Sequence, residues 1–154
     1  MNRWILESPG IAIGANLRWF RDQFSHKETE EAKESGIDPY HVMDKKASSI
    51  PPGSDGLIFL PYTMGSITPE WNSFARGAFL GFSLNHSRAH FVRAIMEGSC
   101  YYMKDVIERF KTLGIAITKV IATGGGARSS LWKQIKADVS GYPIITPVCE
   151  DVST

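Results

Sequence analysis

The most informative segment of the chain reads Ile117-Thr118-Lys119-Val120-Ile121-Ala122-Thr123-Gly124-Gly125-Gly126-Ala127-Arg128-Ser129-Ser130-Leu131-Trp132. A β-branched apolar run ends in three glycines and a pair of serines, and apolar residues then recur at Leu131, Ile135 and Val139, on one side of a helix. The pattern predicts a strand, a glycine turn and a helix. Because glycine has no Cβ, a phosphate or a nucleotide can approach the backbone N–H groups and the helix N-terminus at such a turn.

The glycine turn by itself allows two interpretations. It matches neither the G-x-G-x-x-G of dinucleotide-binding folds nor the G-x-x-x-x-G-K-[ST] of P-loops. The glycines would also serve simply to turn the chain between a strand and a helix that packs on it. Three successive glycines lose more backbone entropy than an ordinary turn requires. Ligand binding and a plain connection therefore both stay open at this point.

Composition limits the classes of function. The chain has 154 residues and an apolar fraction of 43%, as expected for one globular domain with its own core. Its 17 basic and 16 acidic side chains give a formal charge of +1, which offers no electrostatic footprint for nucleic acid or an anionic membrane, so we expect neither partner. Cys100 and Cys149 lie far apart without metal-ligand spacing, and a reduced, cytoplasmic setting is the simplest expectation.

A first helix is predicted to start at Ser8-Pro9, with serine as N-cap and proline at the first helical position. Its buried stripe is expected to comprise Ile13, Leu17, Phe20 and Phe24. Gly14 and Arg18 fall on a different face, one turn apart, so the glycine leaves a gap beside the arginine. A flat ligand or a phosphate would fit that gap, but spacing alone favours close backbone packing beside a surface arginine.

The rest of the chain alternates helices and strands. We expect a charged, solvated helix or loop at 27–34, a short helix opened by Asp38-Pro39, strands at 57–60 and 78–83, a long helix capped by Ser87, a helix over 130–140 and a strand at 144–148. Gly98 lies inside the long helix, where glycine is unfavourable, so tight packing is expected there. His86 and His90 are four residues apart, but no third metal ligand is evident and no metal site is expected.

Further motifs occur in a fixed order. They are Leu60-Pro61-Tyr62; Thr-Pro-Glu-Trp-Asn-Ser-Phe-Ala-Arg-Gly at 68–77; His-Ser-Arg-Ala-His-Phe-Val-Arg-Ala at 86–94 with Glu97-Gly98; and Gly-Gly-Gly-Ala-Arg-Ser-Ser-Leu-Trp-Lys-Gln at 124–134. Together they resemble the C-terminal half of carbohydrate kinases of the FGGY family. Within that family, the triple glycine and the His-Ser-Arg-Ala-His segment look most like the xylulokinase branch, and gluconate kinases are the near alternative.

The resemblance implies an α/β fold of the actin-like, ribonuclease H-like ATPase type. Residues 1–154 would form the C-terminal, nucleotide-binding domain, incomplete at both ends and without the N-terminal sugar-binding domain that carries the catalytic base. It implies no catalytic or metal-ligating residue in this chain, and it implies that ATP is bound by Gly14, Arg18, Gly125, Gly126 and Ser130. Gly126 would lie against the adenine, Ser130 would contact the nucleotide while capping its helix, and Mg²⁺ would be the cofactor.

The function implied is phosphorylation of a ketopentose such as xylulose by Mg-ATP, with the chain inactive by itself. The family's Gly-Glu-Arg is replaced by Gly65-Ser66-Ile67, which leaves the sugar preference open. One alternative is a kinase for gluconate or another sugar. Another is a non-catalytic module for nucleotide sensing or oligomerisation, and the aromatic segment 71–74 would suit either a homodimer or an intrachain interface.

Overall fold

The computed structural model describes residues 12–68 and 70–147. The helices and strands are, in chain order, α1 (Ile13–Phe24), α2 (His26–Ser35), α3 (Pro39–Ser48), β1 (Ile58–Leu60), β2 (Ala78–Leu80), α4 (Arg88–Thr112), β3 (Val120–Ile121), α5 (Ser130–Ser140) and β4 (Ile144–Ile145). Single 3₁₀ turns lie at Ser54–Gly56 and Gly125–Ala127. β1 pairs with β2 in antiparallel orientation, and β3 pairs with β4 in parallel. The predicted α/β character is confirmed.

Helix α4 runs through the centre of the core. Its residues Ile95, Met96 and Cys100 are almost fully buried, and α1, α3, α5 and β1 pack around them. β1 crosses α4 at Gly98, where an added Cβ would overlap the carbonyl oxygen of Phe59. The tight packing expected at this glycine is therefore present, and it allows the strand backbone to lie directly on the helix.

Helix α2 corrects the expectation of a fully solvated segment at 27–34. The segment is helical, but Ala32 is completely buried and Glu28 is only 4% exposed. Glu28 forms ion pairs with Lys46 of α3 and Arg88 of α4, at 3.2 Å each. A carboxylate with two cationic partners can be buried. The buried side of α2 could not be recognised from the sequence, because the segment has no apolar stripe.

One predicted burial and one predicted strand end also differ, and two predicted boundaries lie outside the described residues. Phe24 belongs to the predicted buried stripe of α1 but is 49% exposed, because it is the last residue of the helix and its neighbour Trp19 is itself 46% exposed. The predicted start at Ser8-Pro9 lies outside the described residues. β2 ends at Leu80 rather than at residue 83, since Gly81 adopts a left-handed conformation (φ +78°). β4 covers Ile144–Ile145, and the predicted end at residue 148 is outside the described range.

The remaining predictions of helices are confirmed. Asp38 caps α3 by accepting a hydrogen bond from the backbone N–H of Tyr40 (2.8 Å), and α5 spans Ser130–Ser140. Ser87 caps α4 in a reciprocal capping box with His90. Along the part of the chain that the structure describes, no helix has both the length and the apolar character needed to cross a bilayer.

Candidate functional site

A cleft of about 350 Å³ opens between α1, α3 and the glycine turn that leads into α5. Its volume lies within the range of small-molecule sites, roughly 300–1,000 Å³. The cleft is lined by Gly14 and Arg18 and, more than a hundred residues further along the chain, by Gly125 and Gly126. Ser130 is not among the lining residues. The structure therefore brings together four of the five residues that the sequence singled out.

The shape of the glycine turn depends on Gly124. Its backbone angles are φ 72° and ψ −169°, a region that only glycine adopts readily. The chain then makes one 3₁₀ turn, in which the N–H of Ala127 donates to the carbonyl of Gly124 (3.0 Å) and that of Arg128 to the carbonyl of Gly125 (3.1 Å). This turn carries the chain from β3 to the start of α5 and exposes the backbone of Gly125 to the cleft.

Ser129, and not Ser130, caps helix α5. The Ser129 hydroxyl accepts a hydrogen bond from the backbone N–H of Trp132 (2.9 Å), whereas Ser130 is the first helical residue and is exposed. The physical reason is the backbone: Ser129 is extended (φ −75°, ψ 116°), as an N-cap must be. The expected capping role of Ser130 was therefore wrong by one residue, because two adjacent serines fit the sequence signal equally well.

Gly14 and Gly125 share a property that no other described glycine has. Neither has a positive φ, and an added Cβ on either would meet no atom within 4 Å. Every other described glycine either has a left-handed backbone or contacts neighbouring atoms at the Cβ position. Neither backbone conformation nor packing against described residues thus requires glycine at these two positions, and both border the cleft. Their small size keeps space in the cleft open.

Gly126 differs from these two glycines. A Cβ added there would lie 3.2 Å from two ring carbons of Trp132, so glycine allows the turn to rest on the indole. Trp132 is buried and donates a hydrogen bond from Nε1 to the carbonyl of Met96 in α4 (3.1 Å). Lys136 Nζ lies 4.9 Å from the Trp132 ring centroid and donates to the carbonyl of Gly126 (3.3 Å). The turn is thereby fixed to the central helix.

Burial lowers the pKa of Lys136, and the charge of the neighbouring Lys133 lowers it further. Burial likewise raises the pKa of the Cys100 thiol to about 12. Cys100 is a free cysteine inside the core and stays a neutral thiol at physiological pH. Neither residue lines the cleft, so they support the site rather than form it.

The charged groups of the cleft come from α1, from α3 and from the glycine turn, which contributes Arg128. Arg18 of α1 is exposed, and within residues 12–68 and 70–147 its side chain makes no hydrogen bond or ion pair. From α3 come Asp38, His41 and Asp44. Burial raises the pKa of Asp44, a shift that Asp38 increases and that the hydrogen-bonded Ser129 hydroxyl and the charge of His41 partly offset. The cleft therefore has the guanidinium of Arg18, which pairs with no acid among the described residues, and the half-buried carboxylate of Asp44.

Sequence reasoning missed the contribution of α3 to the cleft. A weak signal existed, since Tyr40 and Asp44 are four residues apart and therefore share one side of the helix. Nothing in that spacing indicates that this side faces α1 and the glycine turn, which lie far away in the chain. The association of the three elements is a property of the tertiary structure alone.

His86 and His90 have a structural role. The Nδ1 atom of each ring accepts a backbone N–H, from Ser83 (2.9 Å) and Ser87 (3.0 Å) respectively. This hydrogen-bond pattern assigns the proton of the neutral rings to Nε2, which faces the carbonyl (3.3 Å, His86) or the carboxylate (3.0 Å, His90) of Asp55. A metal ligand needs the opposite arrangement, with the outer nitrogen deprotonated. The rings hold the 3₁₀ turn around Asp55 against the start of α4.

Comparison with known proteins places the chain among sugar kinases. Residues 2–154 match the model of the FGGY family of carbohydrate kinases, C-terminal domain. Gluconokinase from Bacillus subtilis (strain 168) is 39% identical over 145 residues, which are 94% of this chain and 28% of that protein. Xylulose kinase from the same organism is 35% identical over 135 residues, 88% of this chain and 25% of that protein. The crystal structure of xylulose kinase from Rhodospirillum rubrum matches with a TM-score of 0.74 at 33% identity, over 86% of this chain and 25% of that one.

Proposed function

Because the chain belongs to the FGGY family of carbohydrate kinases, as its C-terminal domain, we propose that it is the ATP-binding part of a sugar kinase. Its fold is that of sugar kinases of the actin-like ATPase type. The chain spans 28% and 25% of the lengths of the two bacterial relatives described above, so the activity proposed is that of a longer protein. That protein would transfer the γ-phosphoryl group of ATP to a hydroxyl group of a sugar.

The observation that carries this proposal is the pair of unconstrained glycines in the cleft. Gly14 and Gly125 lie on different walls, and each leaves space that a methyl group would fill. A ligand that contacts backbone at both positions explains why the chain has glycine there. The planar base of a nucleotide is such a ligand, and Arg18 at the same cleft, which has no ion-pair partner in the described part of the chain, is a cation suited to the ribose or the phosphates.

We assign roles to the cleft residues accordingly. Gly14, Gly125 and Gly126 let the nucleotide approach the backbone, and Arg18 offers positive charge to its anionic part. Ser129 takes the place at the cleft that was expected for Ser130. Phosphoryl transfer depends mainly on positioning and on stabilisation of charge, so a domain that holds ATP rigidly contributes to the reaction even when the base that activates the sugar hydroxyl lies elsewhere.

Mg²⁺ is part of the proposal as the partner of ATP. This ion keeps several waters and is usually held by substrate phosphates with one or two carboxylates. Among the described residues, no group of three or more histidine, cysteine or acidic side chains is arranged to hold a metal. We therefore propose that Mg²⁺ reaches the site with ATP, where it would neutralise charge on the transferred phosphate.

The sugar is proposed only as a class. The two relatives named for gluconate and for xylulose are 39% and 35% identical to this chain, and both match most of it. The resemblance of the glycine motif favours xylulose, whereas the identity favours gluconate. Either sugar fits a kinase of this family.

The second candidate function is a nucleotide-sensing or oligomerising module without catalysis. It predicts nucleotide binding but no sugar-dependent reaction in the longer protein.

The test is a titration of the chain with ADP, followed by NMR or calorimetry. We expect binding by the original chain and at least a tenfold weaker affinity for Gly125→Val, whose side chain would occupy the space next to the turn. Ala116→Val, an exposed position that does not line the cleft, is the matched control and should bind as the original does. Folding of each variant is checked by circular dichroism. Equal affinity in all three proteins would refute the assignment of this cleft as the nucleotide site.

A further inference from the structure

The Asp44 carboxylate has lone pairs in the cleft that accept no hydrogen bond from the described residues. The cleft contains two carboxylates, Asp38 and Asp44. Asp38 is exposed, and its Oδ1 is occupied by the backbone N–H of Tyr40. Asp44 is half-buried, and the Ser129 hydroxyl is the one donor group among the described residues that acts on its carboxylate, which lowers the pKa of Asp44. A carboxylate has about four lone-pair positions, so Asp44 can accept further hydrogen bonds.

Ser129 can only donate to the ionised Asp44 carboxylate, because a carboxylate has no hydrogen-bond donor of its own. The Ser129 oxygen already accepts the N–H of Trp132, so the hydroxyl proton is available for the carboxylate. Asp44 and Ser129 line the same cleft, so the carboxylate lies near the end of the glycine turn. The remaining lone pairs lie in a partly desolvated cavity, where a carboxylate without enough donors is costly. A ligand with an N–H group would supply the missing donor.

The surroundings of Asp44 suit an aromatic base. Leu17, Tyr40 and Trp132 contribute apolar or aromatic surface to the cleft, and Arg18 contributes positive charge. A nucleotide has the same division, with a flat base that carries polar edges and an anionic phosphate tail. The edge of adenine offers one donor group, its exocyclic amine, between ring nitrogens that only accept. The amine is therefore the part of adenine that a carboxylate can recognise.

We propose that Asp44 accepts a hydrogen bond from the exocyclic amino group of the nucleotide base and thereby favours adenine over a purine that lacks this amine. The inference rests on the proposed function, since it assumes that a nucleotide occupies this cleft. It assigns base recognition to α3, separately from the glycine turn and Arg18. Asp44 is a specificity residue in this assignment, and it has no part in the transfer of the phosphoryl group.

The experiment compares ADP with purine riboside 5′-diphosphate, which lacks only the amine. Both are titrated into the original chain, Asp44→Ala, Asp44→Asn and the control Asp138→Ala, which removes an exposed acid on α5 that does not line the cleft. Asp44 also repels the diphosphate, so its removal changes the affinity for both ligands. The ratio of the two dissociation constants cancels this repulsion and reports the amine contact alone.

A hydrogen bond to a charged group contributes about 1.5–3 kcal/mol, which corresponds to roughly a ten- to hundredfold ratio. We expect that ratio in the original chain and in Asp138→Ala, a ratio near one in Asp44→Ala, and an intermediate ratio in Asp44→Asn, whose amide oxygen is a neutral acceptor. If Asp44 has only a structural role, its replacement weakens the binding of both ligands equally and leaves the ratio unchanged. That result would overturn the inference, whereas ADP binding by the original chain would still uphold the proposed function. Failure of the folded original chain to bind either ligand would overturn both.

Discussion

Two helical glycines, Gly14 and Gly98, have opposite surroundings. A methyl group on Gly98 would overlap the carbonyl oxygen of Phe59, whereas on Gly14 it would meet nothing. We therefore expect Gly98→Ala to lower the free energy of unfolding by about 1–3 kcal/mol, in spite of the better helix propensity of alanine. Urea denaturation with the original chain as reference measures this difference. A stability equal to or above that of the original chain would contradict the close contact between β1 and α4.

Gly14→Ala is the matched substitution with the opposite expectation. Alanine gains up to about 1 kcal/mol over glycine inside a helix, and no contact opposes it at this position. The variant should thus be as stable as the original chain or more so, but it should bind ADP more weakly because the methyl group enters the cleft. Urea denaturation and an ADP titration on the same preparation measure the two effects. A destabilised variant, or unchanged binding, would show that Gly14 serves packing and not a ligand.

Asp44 should reduce stability at neutral pH. Its pKa in the folded chain is raised above the ordinary value of 3.8, chiefly by burial, so above that value the unfolded state loses its proton more readily than the folded state. The free energy of unfolding therefore falls as the pH rises through this window. We expect Asp44→Asn to be more stable than the original chain at pH 7, with a gain that disappears below pH 3.8. Urea denaturation across this range measures it, and a pH-independent difference would contradict the burial effect.

Individual residues of the site were predictable from the sequence to different degrees. Gly14, Arg18 and Gly125 carry local signals, because a glycine one turn from an arginine or beside a helix start is unusual in itself. Asp44 carries no such signal, since its significance comes from α3 packing beside a turn eighty residues further along the chain. Ser129 and Ser130 are indistinguishable in sequence, and only the extended backbone at Ser129 decides between them.

At the scale of elements, Glu28 links three helices. Burial alone would raise its pKa, but its own backbone N–H, the Lys46 ammonium and the Arg88 guanidinium outweigh that effect and lower it below 4.5. The folded state therefore favours the ionised carboxylate, which contributes stability above the ordinary pKa and less as the pH falls through the folded value. The paired ends of α2, α3 and α4 should thus separate more easily in acid.

We expect Glu28→Gln to lower the free energy of unfolding by roughly 1–3 kcal/mol at pH 7, since its partners are part-exposed while Glu28 itself is buried. Glu31→Gln on the same helix is the control. Glu31 also pairs with Lys46, at 2.7 Å, but it is half-exposed and should contribute less than about 1 kcal/mol. Urea denaturation at pH 7 and below pH 4.5 measures both variants. An effect of Glu28→Gln that persists unchanged in acid would argue against the ion pairs as its cause.

The order of helices and strands was largely predictable, because apolar periodicity and capping residues are local properties. Ser87, Asp38 and Gly141 mark helix ends that the structure contains. The burial of α2 was not predictable, since it depends on Lys46 and Arg88, which come from other helices. Strand lengths were overestimated for the same reason. Pairing ends where Gly81 turns left-handed beside Gly56, and that contact is tertiary.

At the scale of the whole molecule, the chain presents large apolar side chains to solvent. The expected aromatic interface segment is one example, with Trp71 77% and Phe74 86% exposed. Leu84 and Phe82 follow β2 and are also exposed. Exposed apolar groups in such number are typical of surfaces that contact other protein. The homodimer and the intrachain interface both remain predictions, and analytical ultracentrifugation of the chain over a range of concentrations distinguishes them.

The last prediction concerns catalysis by the chain itself. Transfer to a sugar needs a base for the attacking hydroxyl and a second wall that closes over the phosphates, and the resemblance assigns both to the N-terminal domain of the family. We therefore expect the purified chain, supplied with ATP, Mg²⁺ and either xylulose or gluconate, to release no ADP above the rate without sugar. A coupled assay for ADP measures this, with the gluconokinase of Bacillus subtilis as the active control on gluconate. Sugar-dependent ADP release that is abolished by Gly125→Val would contradict the assignment of the catalytic base to another domain. It would place that base among the 154 residues themselves.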